Sequence, residues 1–129
     1  MQNTGRETSD TSGTSSLVDS KRVEGTDVYD PNGKHIGTIK RLVLDKVSGR
    51  VVYTVANFGG FLGMGGDEYT IPWSRLSYDT SLGGFVTTVT EEQLRGSPDF
   101  GRNNEMDRYD RDSERELNDY YESPYYWST

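Results

Sequence analysis

From Val23 onward, apolar residues come in short runs separated by turn residues. Val28 and Tyr29 begin a first strand. Asp30-Pro31-Asn32-Gly33 follows as a turn, because Pro31 pre-sets its backbone angle and Asn32 and Gly33 tolerate positive φ. The next run, Lys34 to Lys46, carries aliphatics on both alternating sets, with Ile36, Leu42 and Leu44 on one and Ile39 and Val43 on the other. One-sided alternation fails there, so this pattern predicts a bent strand that changes its buried face, with Gly37 as the bend. Val47-Ser48-Gly49-Arg50 is a second turn. Arg50 to Ala56 is a third strand, β-branched and nearly continuous in apolar character. The connection is too short for a crossover, so these two strands form an antiparallel hairpin.

Phe58 to Asp67 is glycine-rich. Glu68 to Ile71 is a fourth strand stopped by Pro72, and Pro72 to Leu76 is one tight turn. Ser77–Thr80 and Gly84–Val89 flank Ser81-Leu82-Gly83 as a last hairpin. At Thr90 the period changes. Thr90 with Gln93 three residues on is a capping box, Glu91 and Glu92 suit a helix N-terminus, and Gly96 and Pro98 end the helix. Short strands, regular turns and one terminal helical turn predict an all-β fold, a small closed or nearly closed barrel.

The polar residues are unevenly placed. Only 31% of the 129 residues are hydrophobic, too few for one compact unit that uses them all. Residues 1–20 are rich in Ser and Thr and are expected to be a disordered arm. Residues 21–97 form the folded domain, and residues 98–129 an acidic, aromatic-ended tail. The net charge of −7 falls on the ends, because basic and acidic residues balance in the middle. That balance argues against nucleic acid as a partner. No apolar run reaches the roughly 20 residues a membrane helix needs. The first residues lack the apolar stretch of a secretory signal, so the default location is cytoplasmic.

Composition also limits the chemistry. With no Cys there is no disulfide, thiol nucleophile or Cys-ligated metal. His35 is the single histidine, no Ser lies in a Gly-x-Ser-x-Gly context, and His35 is expected to be solvated. Asp107, Asp110, Asp112, Glu114 and Glu116 are dense enough to attract a cation. They lack calcium-loop spacing, however, and Arg108, Arg111 and Arg115 interleave to pair with them. Gly59 to Gly66 has neither a phosphate-loop lysine nor a following helix. No catalytic, cofactor or metal residue is therefore assigned.

The motifs resemble those of the PRC-barrel family. Asp30-Pro31-Asn32-Gly33-Lys34-His35-Ile36-Gly37 is similar to its opening D-x-x-G-x-x-I-G. Leu42-Val43-Leu44-Asp45 and Gly49-Arg50-Val51 resemble its next strands, and Ile71-Pro72-Trp73-Ser74-Arg75-Leu76 its P-W-x-x-L element. Tyr120 to Trp127 resembles the aromatic tail of stand-alone bacterial members. The resemblance implies a six-stranded antiparallel barrel with a short helical turn after the last strand. It also implies adaptor-like roles, as in the reaction-centre H subunit and a ribosome-maturation factor.

Two places could meet a partner. Phe61, Leu62 and Met64 sit between glycines, and they either plug an end of the barrel or cover an apolar patch on a protein partner or a second copy. Tyr121, Tyr125, Tyr126 and Trp127 lie in an acidic tail, where disordered segments are usually poor in aromatics. That tail folds back, docks on a partner, or stays disordered. Arg115, Leu117 and Tyr121 fit one helical face. The expected role is non-enzymatic protein–protein interaction, with a homodimer as one form of it. The alternative is a regulatory domain that binds a small ligand or a cation.

Overall fold

The computed structural model describes residues 16–61, 67–98 and 110–128. The expected arm of residues 1–20 falls mostly outside them. A short helix α1 (Ser20–Val23) leads into β1 (Asp27–Tyr29), β2 (His35–Leu44), β3 (Val51–Asn57) and β4 (Glu68–Pro72). A 3-10 turn (Trp73–Arg75) passes to β5 (Ser77–Asp79) and β6 (Gly84–Val86). Then come α2 (Glu91–Arg95), α3 (Arg111–Tyr120) and a last 3-10 turn (Tyr126–Ser128).

The six strands form one sheet in the order β4-β3-β2-β1-β6-β5. The expected antiparallel barrel needs correcting in two respects. First, β1 and β6 pair in parallel, whereas the other pairs are antiparallel. Successive reversals set β4 against β1, and β5 opposes β6, so β5 runs in the sense of β4. The Trp73–Arg75 turn is therefore a corner without the reversal of a hairpin, and this brings β6 in alongside β1. Second, β4 and β5 are the edges of the sheet and are not paired with each other. The corner joins them, but the hydrogen-bond ladder does not close. The expectation of disordered ends also changes, since residues 111–120 are helical.

The change of face in β2 is real, and it has a local cause. Ile39 faces Ala56 and Arg41 faces Val55, so Lys40 is an extra residue in the ladder. This bulge turns the strand over and puts Ile39 and Leu42 on one side of the sheet, Arg41 and Val43 on the other. Beside it the Thr54 hydroxyl donates to the Arg41 carbonyl at 3.1 Å. Gly37 has a further role, because a Cβ there would overlap the Asn57 carbonyl oxygen. It lets β2 and β3 approach closely.

The core gathers Val28, Ile36, Ile39, Phe58, Ile71 and Leu94, each fully buried. Leu94 is delivered by α2, whose predicted capping box is present. The Gln93 amide donates to Thr90 Oγ1 at 3.2 Å, and the Thr90 amide to Gln93 Oε1 at 2.8 Å. Trp73 packs edge-on against Phe85 at 5.3 Å between ring centres.

Candidate partner-binding surface

Thr54 and Ala56 of β3 lie opposite Ile71 and Tyr69 of β4, on the inner side of the sheet. Tyr53 and Val55 lie opposite Pro72 and Thr70, on the outer side. Yet Tyr53, Val55 and Thr70 are just as buried. A sheet buried on one side reads as alternation, whereas one buried on both reads as a continuous apolar run. The continuous run of β3 belongs to the second kind, so something must cover its outer side.

The cover is α3. It begins at Asp110, whose carboxylate accepts the Ser113 amide at 2.8 Å. That bond holds the Asp110 pKa below the usual carboxylate range. The helix packs against β4 and turns Glu114, Leu117, Asn118 and Tyr121 inward, all of them buried. Their spacing is i, i+3, i+4, i+7, one face of a helix. Tyr53 Oη lies 2.9 Å from Asn118 Oδ1 and 3.2 Å from Glu114 Oε1, so one hydroxyl serves two residues a turn apart. Burial, followed by the Glu114 charge, pushes the Tyr53 pKa well above the usual tyrosine range. Arg111 Nε approaches Glu114 at 3.6 Å and supplies the opposing charge.

The helix ends in a left-handed residue, Glu122 at φ 55°. The Glu122 amide donates to the Asp119 carbonyl, and the Ser123 amide to Asn118 at 2.9 Å. This is a Schellman closure with Glu where Gly is usual. It turns the chain back, so that Asn118 Nδ2 donates to the Pro124 carbonyl at 2.9 Å. Tyr126 then stands edge-on to Tyr53 at 6.2 Å between ring centres. Burial, with a hydrogen bond to Glu114, pushes Tyr126 up to about 12. Tyr125 stacks on Trp127 at 4.7 Å, and the Arg111 guanidinium lies 4.0 Å over the Trp127 ring. Three further bonds tie this segment to the barrel. Arg50 Nη2 donates to the Tyr126 carbonyl at 3.3 Å, Tyr120 Oη to the Gln93 carbonyl at 2.7 Å, and the Ser74 and Ser123 hydroxyls are 2.7 Å apart.

Of the three arrangements left open for the tail, the structure holds residues 111–128 against the barrel. Tyr121, Tyr125, Tyr126 and Trp127 come together there. Phe61 lies elsewhere, stacked on Phe58 at 6.1 Å and packed against the core. Leu62 and Met64 lie outside the described residues. Leu117 and Tyr121 share the buried helix face, but Arg115 points away and pairs with Asp112 at 2.9 Å. From the sequence, Tyr53 and Asn118 are not singled out, and Glu114 is named only as a member of the acidic run. Two signals carry them: the apolar run of β3 and the helical spacing of 114, 117, 118 and 121.

The acidic run is engaged locally, with Asp110 capping α3 and Glu114 buried under Tyr53. Among the described residues no three His, Asp or Glu side chains are grouped to hold a metal ion. Asp107 is outside them. His35 Nε2 lies 2.9 Å from Asp27 Oδ1, half exposed. Among the described residues no helix is long and apolar enough to cross a membrane.

No curated protein matches the chain. The family model of the PRC-barrel domain matches residues 17–94, a span that ends within α2 and leaves α3 beyond it. That match covers more than half of the chain and runs through all six strands, so the chain belongs to the PRC-barrel domain family.

Proposed function

We propose that this chain is a non-enzymatic adaptor or regulatory module that acts by protein–protein interaction, with the outer side of β3 and β4 as its recognition surface. The observation that carries this reading is the seating of α3 on that surface. Four residues at helical spacing turn inward, and two of them, Glu114 and Asn118, are hydrogen-bonded by one strand residue, Tyr53. A sheet face that takes an amphipathic helix in this way suits helix-in-groove recognition, where spaced anchors give specificity. The tail aromatics contribute to the occupant of the surface. The glycine loop, through Phe61, is a separate apolar contact. The carboxylates with lowered pKa values, Asp45, Asp79 and Asp110, are each held by hydrogen bonds to nearby turn or cap residues, which favours a structural use for them.

The test is a labelled peptide of residues 110–128, titrated into the full chain carrying Leu117→Ser and Tyr121→Ser and followed by fluorescence anisotropy. Saturable binding that disappears on adding Tyr53→Ala is the expected result. A variant that keeps its β-sheet circular dichroism and binds no peptide would end this reading.

A further inference from the structure

The groove that holds α3 recognises a sequence present in every copy of the chain. Resting on the outer side of β3 and β4 as a recognition surface, we infer that it also takes α3 from a second copy, giving a reciprocally exchanged dimer. Each copy then supplies Glu114, Leu117, Asn118 and Tyr121 to the Tyr53 surface of the other.

Three observations support the exchange. The first is identity of contact. The hydrogen bonds of Tyr53 to Glu114 and Asn118, and of Tyr120 to Gln93, form equally well with a neighbour's segment, so exchange gives up none of them. The second is reach. Residues 99–109 separate the last described residue of the barrel side, Pro98, from Asp110. That stretch extends to at most about 40 Å, enough to cross to an adjoining copy.

The third is that the docked segment is poorly suited to permanence. A ten-residue helix is marginal on its own. Its last turn holds Asp119 and no basic residue, against the helix dipole. Its turn back uses Glu122 in a left-handed conformation. When the segment leaves, the sheet is uncovered at Tyr53. Whichever α3 is at hand can cover it, its own at an effective concentration on the order of millimolar or a neighbour's at the bulk concentration. Domain exchange of this kind is a low-cost route to a symmetric dimer.

The chain has no Cys, and the Ser74 and Ser123 hydroxyls meet at 2.7 Å across the contact. Ser74→Cys with Ser123→Cys in the full chain therefore records which copy supplied the segment. Oxidation at about 10 μM should give closed monomers, and oxidation near about 1 mM should give a large fraction of covalent dimer. In an isotope-mixed sample, peptide mapping should link position 74 of one copy to position 123 of the other. Monomer alone at both concentrations, or dimers linked only 74–74 or 123–123, would overturn the exchange. Monomers closed through 74–123 at both concentrations, with no crossed dimer, would leave the helix-binding surface standing while refuting exchange. No 74–123 link at either concentration would remove both.

Discussion

On the inner side of the sheet, Ile36, Ile39, Ile71 and Leu94 meet as hydrocarbon, and the strands themselves supply most of the contact. On the outer side, Tyr53, Val55 and Thr70 are equally buried, but the cover over Tyr53 is a single helix fixed by hydroxyl, amide and carboxylate groups. Burial is the same on the two sides and the consequence of losing it is not. The inner contacts hold the strands that make the barrel, so weakening them weakens everything. The outer contacts hold one segment, so their loss is limited to the free energy of docking that segment. A side that can be uncovered without unfolding is the one suited to exchange partners.

The largest effect should separate the two sides directly. Ile39→Ala removes a fully buried inner side chain and should cost about 2–5 kcal/mol, lowering the melting temperature of the whole chain. Leu117→Ala removes an equally buried residue of α3. Its cost should stop at the docking free energy, because an undocked helix has nothing further to lose. Hydrogen exchange should show α3 losing protection while β1–β3 keep theirs. Equal loss in both regions for Leu117→Ala would abolish the distinction.

Tyr53→Phe keeps the ring and removes the hydroxyl shared by Glu114 and Asn118. The one proton that two buried acceptors share is then lost, which should cost about 1–3 kcal/mol. The loss should appear as faster proteolysis after Arg111 and Arg115, with the barrel melt nearly unchanged. A lowered melt with the tail still protected would place Tyr53 with the inner side.

Much of the inner side is legible in the sequence because its signals are local. Asp30-Pro31-Asn32-Gly33 marks its turn, and the capping box marks the start of α2 within four residues. The parallel pairing of β1 with β6 is not legible. It depends on whether the chain reverses at Trp73–Arg75, and no residue there states its direction. The face change in β2 is visible as aliphatics on both sets, but its position is not. β2 has an extra residue at Ile36, beside Gly37, and another at Lys40, so Gly37 marks one irregularity as well as allowing the close approach to Asn57, while nothing in the sequence marks Lys40. The outer surface is half legible. The double-faced run of β3 demands a cover, and the spacing of Glu114, Leu117, Asn118 and Tyr121 offers one. Charge hides the match, because a helix of mean hydropathy this polar looks solvated until Tyr53 gives its polar residues a partner.

Raising the pH should act on the outer side first. Burial pushes Tyr121 up to about 12, from an ordinary value of 10.0, and Tyr53 is also shifted upward by burial. Between those values the folded chain keeps a proton that the unfolded chain has shed. Stability then falls as pH rises, being intact below pH 10 and lost through about 12. Tyr121 alone should contribute about 1 kcal/mol of loss per pH unit in that window. Trp127, stacked between Tyr125 and Arg111, should report undocking by its emission before the β-sheet signal changes. A sheet signal that collapses together with the emission would mean that the two sides are not separable.

The smallest effect has the opposite sign. Glu122 sits at φ 55°, a conformation in which a Cβ crowds the following carbonyl. Gly at this position would relieve that strain, at the cost of greater freedom in the unfolded chain. Glu122→Gly should therefore tighten docking by about 0.5–1 kcal/mol. The gain belongs wholly to the outer side. Hydrogen exchange in α3 should slow while the core strands stay as they were, and concentration-dependent exchange between copies should become slower. Faster exchange in α3 would show that the Glu122 side chain holds the turn by a contact that outweighs its backbone strain.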